Sequence, residues 1–130
     1  MADAFRALGL GVETQEFPGI ALAVNVDGVG LRLSWDTVSF YECGPEIRRR
    51  ISTVLPGHPG IRECDPWYSG DHTLFCRKGV PCIAFSSADP GGVATRIIHT
   101  TEDTLAAVDP GRINDVARAI AEIVEAMAET

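Results

Sequence analysis

The chain lacks an excess of positive charge, a long hydrophobic run and a signal-peptide pattern. Its 18 acidic residues outnumber its 11 basic ones, which gives a formal net charge of −7. A nucleic-acid partner is therefore not expected, because binding to a phosphate backbone needs clustered lysine and arginine. No apolar stretch approaches the roughly 20 residues that cross a bilayer, and the first residues do not read as a secretory signal. We expect a soluble, cytoplasmic protein with no membrane partner.

The sequence also has no C-x-x-C pair among its four cysteines, which are Cys43, Cys64, Cys76 and Cys82. A structural zinc site built from four cysteines is therefore not expected. Without a secretory signal, these thiols are predicted to be reduced and mostly buried. The one basic run, at residues 48–50, is predicted to be the solvated face of a helix.

The length and the apolar runs predict a single α/β domain over residues 1–130. A chain of this size can bury one core but not two. The run at residues 20–26 is bounded by turn residues and nearly free of polar side chains, so it predicts a strand buried on both faces. Further strands are predicted over residues 36–43, 60–64 and 80–87. Strands that alternate with helices indicate a layered fold with a mostly parallel sheet flanked by helices.

Helices are predicted over residues 45–55 and 69–79 and from residue 110 onward. Pro45 and Pro110 open two of them, at the first helical position that proline favours. In the last helix, apolar residues recur at helical spacing and predict one stripe that packs on the sheet. The stripe comprises Ile113, Val116, Ala117, Ile120, Ile123, Val124 and Met127. Between this helix and the preceding strand, Ile97 and Ile98 are predicted to form a brief extended piece.

Polar residues follow three of the predicted extended segments. Asp27 follows the first strand, Ser86 and Ser87 end the strand at 80–87, and His99 follows Ile98. Ligands bind beyond the carboxyl ends of the strands in sheets of this kind. Each residue also has a structural interpretation: Asp27 in a turn, and His99 as a hydrogen-bonded structural histidine. Asp71 likewise fits the cap of its predicted helix.

Taken in order, three segments resemble the C-terminal half of the di-zinc aminopeptidase family. This family includes the bacterial leucyl aminopeptidases, aminopeptidase Y and the glutaminyl cyclases. The segments are "VNVDGVG", "PWYSGDHTLFCRKGVPCIAFSS" and "IIHTTEDTLAAVDPGRI". They are similar to the family's N-x-D strand, its S-x-D-H helix leading to a G-[IV]-P strand, and its H-T-x-x-D-T loop. The resemblance extends over residues 18–127 and implies the C-terminal part of a zinc exopeptidase fold.

The resemblance implies a role for each matching residue. Asp27 corresponds to the aspartate that ligates one zinc, and His99 to the histidine that ligates the other. Carboxylate and imidazole are ordinary zinc ligands. Asp71 and His72 correspond to a pair whose hydrogen bonds orient groups near the metals. Thr100 and Thr104 would fix the histidine loop through hydrogen bonds to the backbone.

Several parts of the family site have no counterpart in the sequence. The family also uses an H-x-D motif, an aspartate that bridges the two metals and a Glu-Glu pair, all located before the N-x-D strand. Only 26 residues precede Asp27, and Glu13 and Glu16 among them are not adjacent. The chain therefore resembles a half-enzyme, either cut or encoded short. Each zinc would have one ligand where about three are expected, so zinc binding should be weak or absent.

Three functional hypotheses follow. The chain is the C-terminal part of a zinc aminopeptidase, inactive by itself, with peptide as substrate only when the site is complete. Alternatively, it is a noncatalytic domain that uses the same fold for binding or self-assembly. The third hypothesis is an unrelated α/β module. Without the N-terminal half, the apolar strand at 20–26 would lose a neighbour, so we expect a homo-oligomer, a dimer burying residues 1–26, or a complex with the missing half.

Overall fold

The structure, a computed structural model, describes residues 19–128. Its centre is a four-stranded sheet in the order β1-β4-β2-β3. The strands are β1 (Ala23–Val26), β2 (Asp36–Tyr41), β3 (Ile61–Glu63) and β4 (Cys82–Ser87). β1 is parallel to β4 and β3 is parallel to β2, whereas β2 runs antiparallel to β4. The predicted layered α/β architecture is confirmed, with one antiparallel pair at the middle of the sheet.

Helices cover the sheet, and the sheet divides the core into two parts, one on each face. They are α1 (Pro45–Val54), α2 (Thr73–Cys76), α3 (Val93–Ile97) and α4 (Pro110–Ala128). Successive residues of a strand point to opposite faces, and β4 illustrates this. Ile83 and Phe85 pack with the helix residues Ile51 and Ile123 on one face. On the other face, Cys82 and Ala84 pack with residues that include Phe75 of α2.

The prediction that the strand at 20–26 is buried on both faces is wrong. Regular pairing begins at Ala23, and Val24 and Val26 remain 36% and 49% exposed. Both side chains lie on the same face of β1 because side chains alternate along a strand. Among the described strands, β1 pairs with β4 alone and forms one edge of the sheet. A continuous apolar run therefore does not establish that both faces are covered.

The apolar stripe predicted on the last helix is narrower than expected. Val116 and Ile123 are buried, whereas Ile113 and Val124 are 41% and 54% exposed. Ala119, which the spacing did not indicate, is fully buried against the core. α4 therefore packs on the core through Val116, Ala119 and Ile123, with Ile120 and Met127 partly buried beside them.

Ile97 and Ile98 do not form an extended piece, so this prediction is wrong. Residues 93–97 form α3, and Ile98 ends it. The helix is favoured because the Asp89 carboxylate caps its first turn. Asp89 Oδ1 accepts the Ala94 N–H at 2.7 Å, and Oδ2 accepts the Thr95 hydroxyl at 2.5 Å. His99 consequently follows a short helix.

The four cysteines are free, as predicted, but they are not mostly buried. Cys82 lies in the core, Cys43 and Cys76 are half-buried, and Cys64 is exposed. Burial raises the pKa of the Cys82 thiol to about 12, which keeps it protonated and unreactive. Arg48 and Arg49 of the basic run face solvent as predicted, and Arg49 pairs with Glu46 on the surface of α1 at 2.7 Å. Arg50 is half-buried and donates to Ala126 O of α4 at 2.9 Å.

Within residues 19–128, no helix combines the length and apolar character needed to cross a membrane. Glu13, Glu16 and most of the segment predicted to mediate dimerisation lie outside these residues.

Candidate functional site

One pocket of the described structure is lined by both Asp27 and His99. It has a volume of about 630 Å³ and is bounded by the ends of β1 and β4, the loop after β3 and the segment around α3. Asp27 directly follows β1, and its N–H donates to Phe85 O of β4 at 3.0 Å. We refer to this pocket as the main cavity. Ser86 and Ser87, also predicted from the strand ends, line it as well.

The loop that follows Asp27 is held by a buried carboxylate that the sequence analysis missed. Asp36, at the start of β2, is 2% exposed. Its Oδ1 accepts the Gly30 N–H at 2.7 Å, and its Oδ2 accepts Nε of Arg112 at 3.1 Å. Ser87 Oγ accepts the Leu31 N–H at 3.0 Å, which fixes the same loop to β4. The backbone beside Asp27 is therefore fastened to both β2 and α4.

The loop that carries His99 is held by short-range hydrogen bonds. The backbone of His99 adopts a left-handed conformation, with φ of +61°, which histidine tolerates better than most residues. Its N–H donates to Asp103 Oδ2 at 3.1 Å. Thr100 Oγ1 donates to Ile97 O at 2.7 Å and accepts the Glu102 N–H at 3.2 Å. Thr104 takes part through its backbone, since its N–H donates to Glu102 O.

The segment after β3 forms part of the cavity wall, and Trp67 is an aromatic residue in that wall. Two buried side chains donate hydrogen bonds to the carbonyl oxygen of Trp67. Tyr41 Oη donates to Trp67 O at 2.7 Å, and His72 Nε2 donates to it at 2.8 Å. The Trp67 N–H donates back to Tyr41 Oη at 2.9 Å. Both acceptor positions of the Trp67 carbonyl are thus used, and the segment is fixed.

The family resemblance implied that Asp71 and His72 orient groups near the metals, and neither of them lines the main cavity. His72 is fully buried behind the cavity wall, with its ring 4.4 Å from the Trp67 ring. Asp71 is exposed and does not line the cavity. A Cβ on Gly70 would lie 2.7 Å from the Trp67 ring and 2.8 Å from His72 Nδ1, so only glycine fits there. His72 therefore supports the wall and does not contact the cavity.

The charged groups that line the cavity are mostly carboxylates. Asp27, Asp65 and Asp89 contribute one each, and His99 is the basic group among them. The Asp89 carboxylate is engaged in capping α3. Its hydrogen bonds, first that from the Thr95 hydroxyl, hold its pKa below the usual range. Asp27 and His99 are therefore the cavity residues on which the metal hypothesis depends.

These donors do not by themselves fit a zinc ion. A catalytic zinc site uses about three protein ligands and leaves one position open for water. Within the described range 19–128, no three histidine, cysteine or acidic side chains are grouped so that they could hold a metal. The main cavity thus has the two donors that the resemblance implied, Asp27 and His99, and lacks a complete ligand set among the described residues.

Comparisons with known proteins identify the family. The profile described as peptidase family M28 matches residues 12–124. A crystal structure from Clostridium acetobutylicum, provisionally named a peptidase, superposes with a TM-score of 0.64 and 17% sequence identity. The alignment covers 82% of this chain and 26% of that protein, so the chain spans about a quarter of its length. The search of curated proteins gives no match. Because the family profile covers most of its length, the chain belongs to peptidase family M28.

Proposed function

We propose that this chain supplies one part of an aminopeptidase cleft, the part that carries Asp27 and His99, and that it does not hydrolyse peptides alone. The observation that carries the proposal is their meeting in one cavity of about 630 Å³, although 71 other residues separate them in the chain. Members of peptidase family M28 generally depend on zinc. In the complete site, Asp27 would bind one metal and His99 the other, as in the resembling family.

The fastening of both residues supports this role. The loop after Asp27 is tied to Asp36, and the N–H of His99 is tied to Asp103. Metal ligands need such orienting hydrogen bonds, because binding is weakened when the ligand must be ordered first. Thr100 contributes the bonds that close the His99 loop. A peptide becomes a substrate only when the remaining ligands and a general base are present.

Zinc titration tests the incomplete ligand set. We expect no stoichiometric, submicromolar binding to the 130-residue chain, because two donors assigned to different metals leave each ion short of ligands. Isothermal calorimetry would measure it in a buffer that keeps the thiols reduced. Asp71→Ala, a carboxylate outside the cavity, is the matched control for Asp27→Ala and His99→Ala. Tight binding that His99→Ala removes and Asp71→Ala preserves would contradict the proposal.

A second role, self-assembly, is favoured by the exposed edge of the sheet. β1 offers one edge without a partner among the described strands. Exposed apolar side chains accompany it: Ile20 and Val24 at 36% and Val26 at 49%. Unpaired strand edges of this kind promote association with a further strand, and a symmetric dimer is the commonest closed assembly. We propose that a second copy of the chain pairs at this edge.

Light scattering during size-exclusion chromatography tests the dimer. The expected mass is twice the 13.9 kDa of the chain. Val24→Lys combined with Val26→Lys should shift the protein toward the monomer, because charge on an edge strand opposes pairing. Leu105→Lys is the matched control, since Leu105 is 92% exposed and does not belong to β1. A monomeric wild-type protein at high micromolar concentration would refute this assembly.

A further inference from the structure

A buried histidine lies outside the main cavity, between a turn and the long helix. His58 follows the turn Leu55–Gly57 and precedes β3, and it is 1% exposed. Its backbone N–H donates to Leu55 O, and its carbonyl accepts the Ile61 N–H, both at 2.9 Å. These hydrogen bonds fix the backbone of His58. Its ring points toward α4.

Both ring nitrogens of His58 face carboxylates of α4. Nδ1 lies 2.7 Å from Asp115 Oδ1, and Nε2 lies 3.1 Å from Glu122 Oε2. The two acids are about two turns apart and so share one face of the helix. An ionised carboxylate only accepts hydrogen bonds, and a neutral imidazole carries one N–H. Both contacts can be hydrogen bonds at once only when the ring carries two protons and a positive charge.

We propose that His58, Asp115 and Glu122 form a pH-sensitive clasp that locks α4 onto the turn before β3 when His58 is protonated and loosens it when His58 is neutral. On deprotonation, one ring nitrogen would present its lone pair to a carboxylate, and a hydrogen bond would become a repulsive contact. This clasp is independent of the cleft proposed above, because none of its three residues lines the main cavity.

On the elements packed against the clasp, the arginines of α1 and β3 are engaged elsewhere, and Arg118 of α4 is a further cation beside the two acids. On α1, Arg48 pairs with Glu63 of β3 at 2.9 Å, and Arg50 pairs with Glu46 at 2.8 Å.

On β3, the Arg62 guanidinium lies over the Trp35 ring. On α4, helical spacing places Arg118 on the same face as the two acids, where its side chain is exposed to solvent.

The direction of the pH effect follows from the balance at the ring. Burial by itself lowers the pKa of His58, but the hydrogen bonds to Asp115 and Glu122 outweigh it, so the pKa is raised above 6.5. A raised pKa in the folded state means that the folded protein binds the proton more tightly than the unfolded chain. The contribution of the clasp is then full below about pH 6.5 and is lost as the pH rises through the folded pKa.

The clasp is tested by measuring the free energy of unfolding of the wild type and of His58→Gln across a range of pH. The free energy by which wild type exceeds His58→Gln should be largest at mildly acidic pH and shrink toward alkaline pH. Amide exchange in α4, corrected for the intrinsic rate, should show the same loss of protection. Leu105→Gln is the control, because it replaces an exposed side chain that carries no titratable proton and should leave the pH dependence of unfolding unchanged. A difference that stays constant or grows with pH would overturn the proposal.

A measurement on folded wild-type protein covers the case in which His58→Gln does not fold. Ring ¹⁵N shifts should show both nitrogens of His58 predominantly protonated at about pH 6.5, and Glu122→Gln should lower the midpoint of its titration. A ring that is already neutral at about pH 6.5, or a midpoint unaffected by Glu122→Gln, would overturn the clasp.

Discussion

The purified 130-residue chain should release no p-nitroaniline from leucyl p-nitroanilide, with or without added zinc. The carboxylates that line the main cavity are Asp27, Asp65 and Asp89, and among the described residues no glutamate lines it. In the proposed function Asp27 is a metal ligand, and Asp89 is engaged in capping α3. A positioned general base contributes about 10²–10⁴-fold to the rate, so its loss alone would place activity far below that of a complete enzyme.

The assay needs controls for contaminating peptidases, because trace activity would imitate a positive result. A complete aminopeptidase in the same plate shows that the substrate is competent. His99→Ala, purified in parallel, sets the background expected for the wild-type chain. Amine release by the wild type that a chelator removes and that His99→Ala lacks would show an intact site and refute the proposed function.

The elements that the sequence predicted well are those with dense local signals. Pro45 fixes the start of α1. The strand predicted over residues 80–87 begins two residues before β4 and ends where β4 ends. The sequence carries fewer signals for where helices and strands end. β2 stops at Tyr41, before the predicted end at residue 43, because Glu42 turns the chain with a φ of +51°. No residue type or spacing in "FYEC" announces a left-handed glutamate.

The helix at 93–97 had a usable signal that the isoleucines obscured. An aspartate followed by proline commonly starts a helix, and Asp89-Pro90 precedes α3. A similar signal was present after His99, since aspartate side chains often accept nearby backbone N–H groups. Asp103 does so at His99. The hydrogen bonds of Asp89 and Asp103 to nearby backbone N–H groups could therefore have been predicted from the local sequence.

The placement of Asp27 and His99 could be predicted only through the order of the family motifs. Periodicity and composition give no information on which loops meet, because that depends on the order of strands in the sheet. β1 joins β4, which is distant from it in the chain, and this pairing brings Asp27 near Ser86. The direction of the His72 ring could not be predicted, since the motif identifies the residue but not its orientation.

Contacts between distant polar residues left no trace in the sequence. Asp36 and Arg112 lie 76 positions apart. Asp36 belongs to no motif, and Arg112, near the end of the segment "IIHTTEDTLAAVDPGRI", is assigned no role by the resemblance. Arg112 falls on the predicted last helix as one polar residue among several. A single charged side chain is assigned to solvent by default, and only the folded structure shows that this one enters the interior.

Replacing Arg112 should therefore have the largest effect on stability of any arginine discussed above. Its Nη2 lies 2.9 Å from the nearly buried Asp36 carboxylate, and its Nη1 donates to Ser34 O at 2.6 Å. Arg112→Met keeps much of the side-chain volume but leaves the Asp36 charge buried without its cation. Breaking a buried pair in this way costs about 3–5 kcal/mol, and a value near 3 is expected because the guanidinium is partly exposed.

Arg49→Met is the matched control, since Arg49 pairs with Glu46 while 66% exposed. Exposed pairs contribute about 0–1 kcal/mol, so Arg112→Met should lower the free energy of unfolding clearly more than Arg49→Met. Unfolding in denaturant resolves a difference of this size. Equal losses in the two proteins would show that the Asp36 charge does not depend on Arg112. A large loss confined to Arg112→Met would identify Asp36 and Arg112 as the link between α4 and the loop that follows Asp27. The structure predicts that same link, because Asp36 Oδ1 also accepts the Gly30 N–H of this loop.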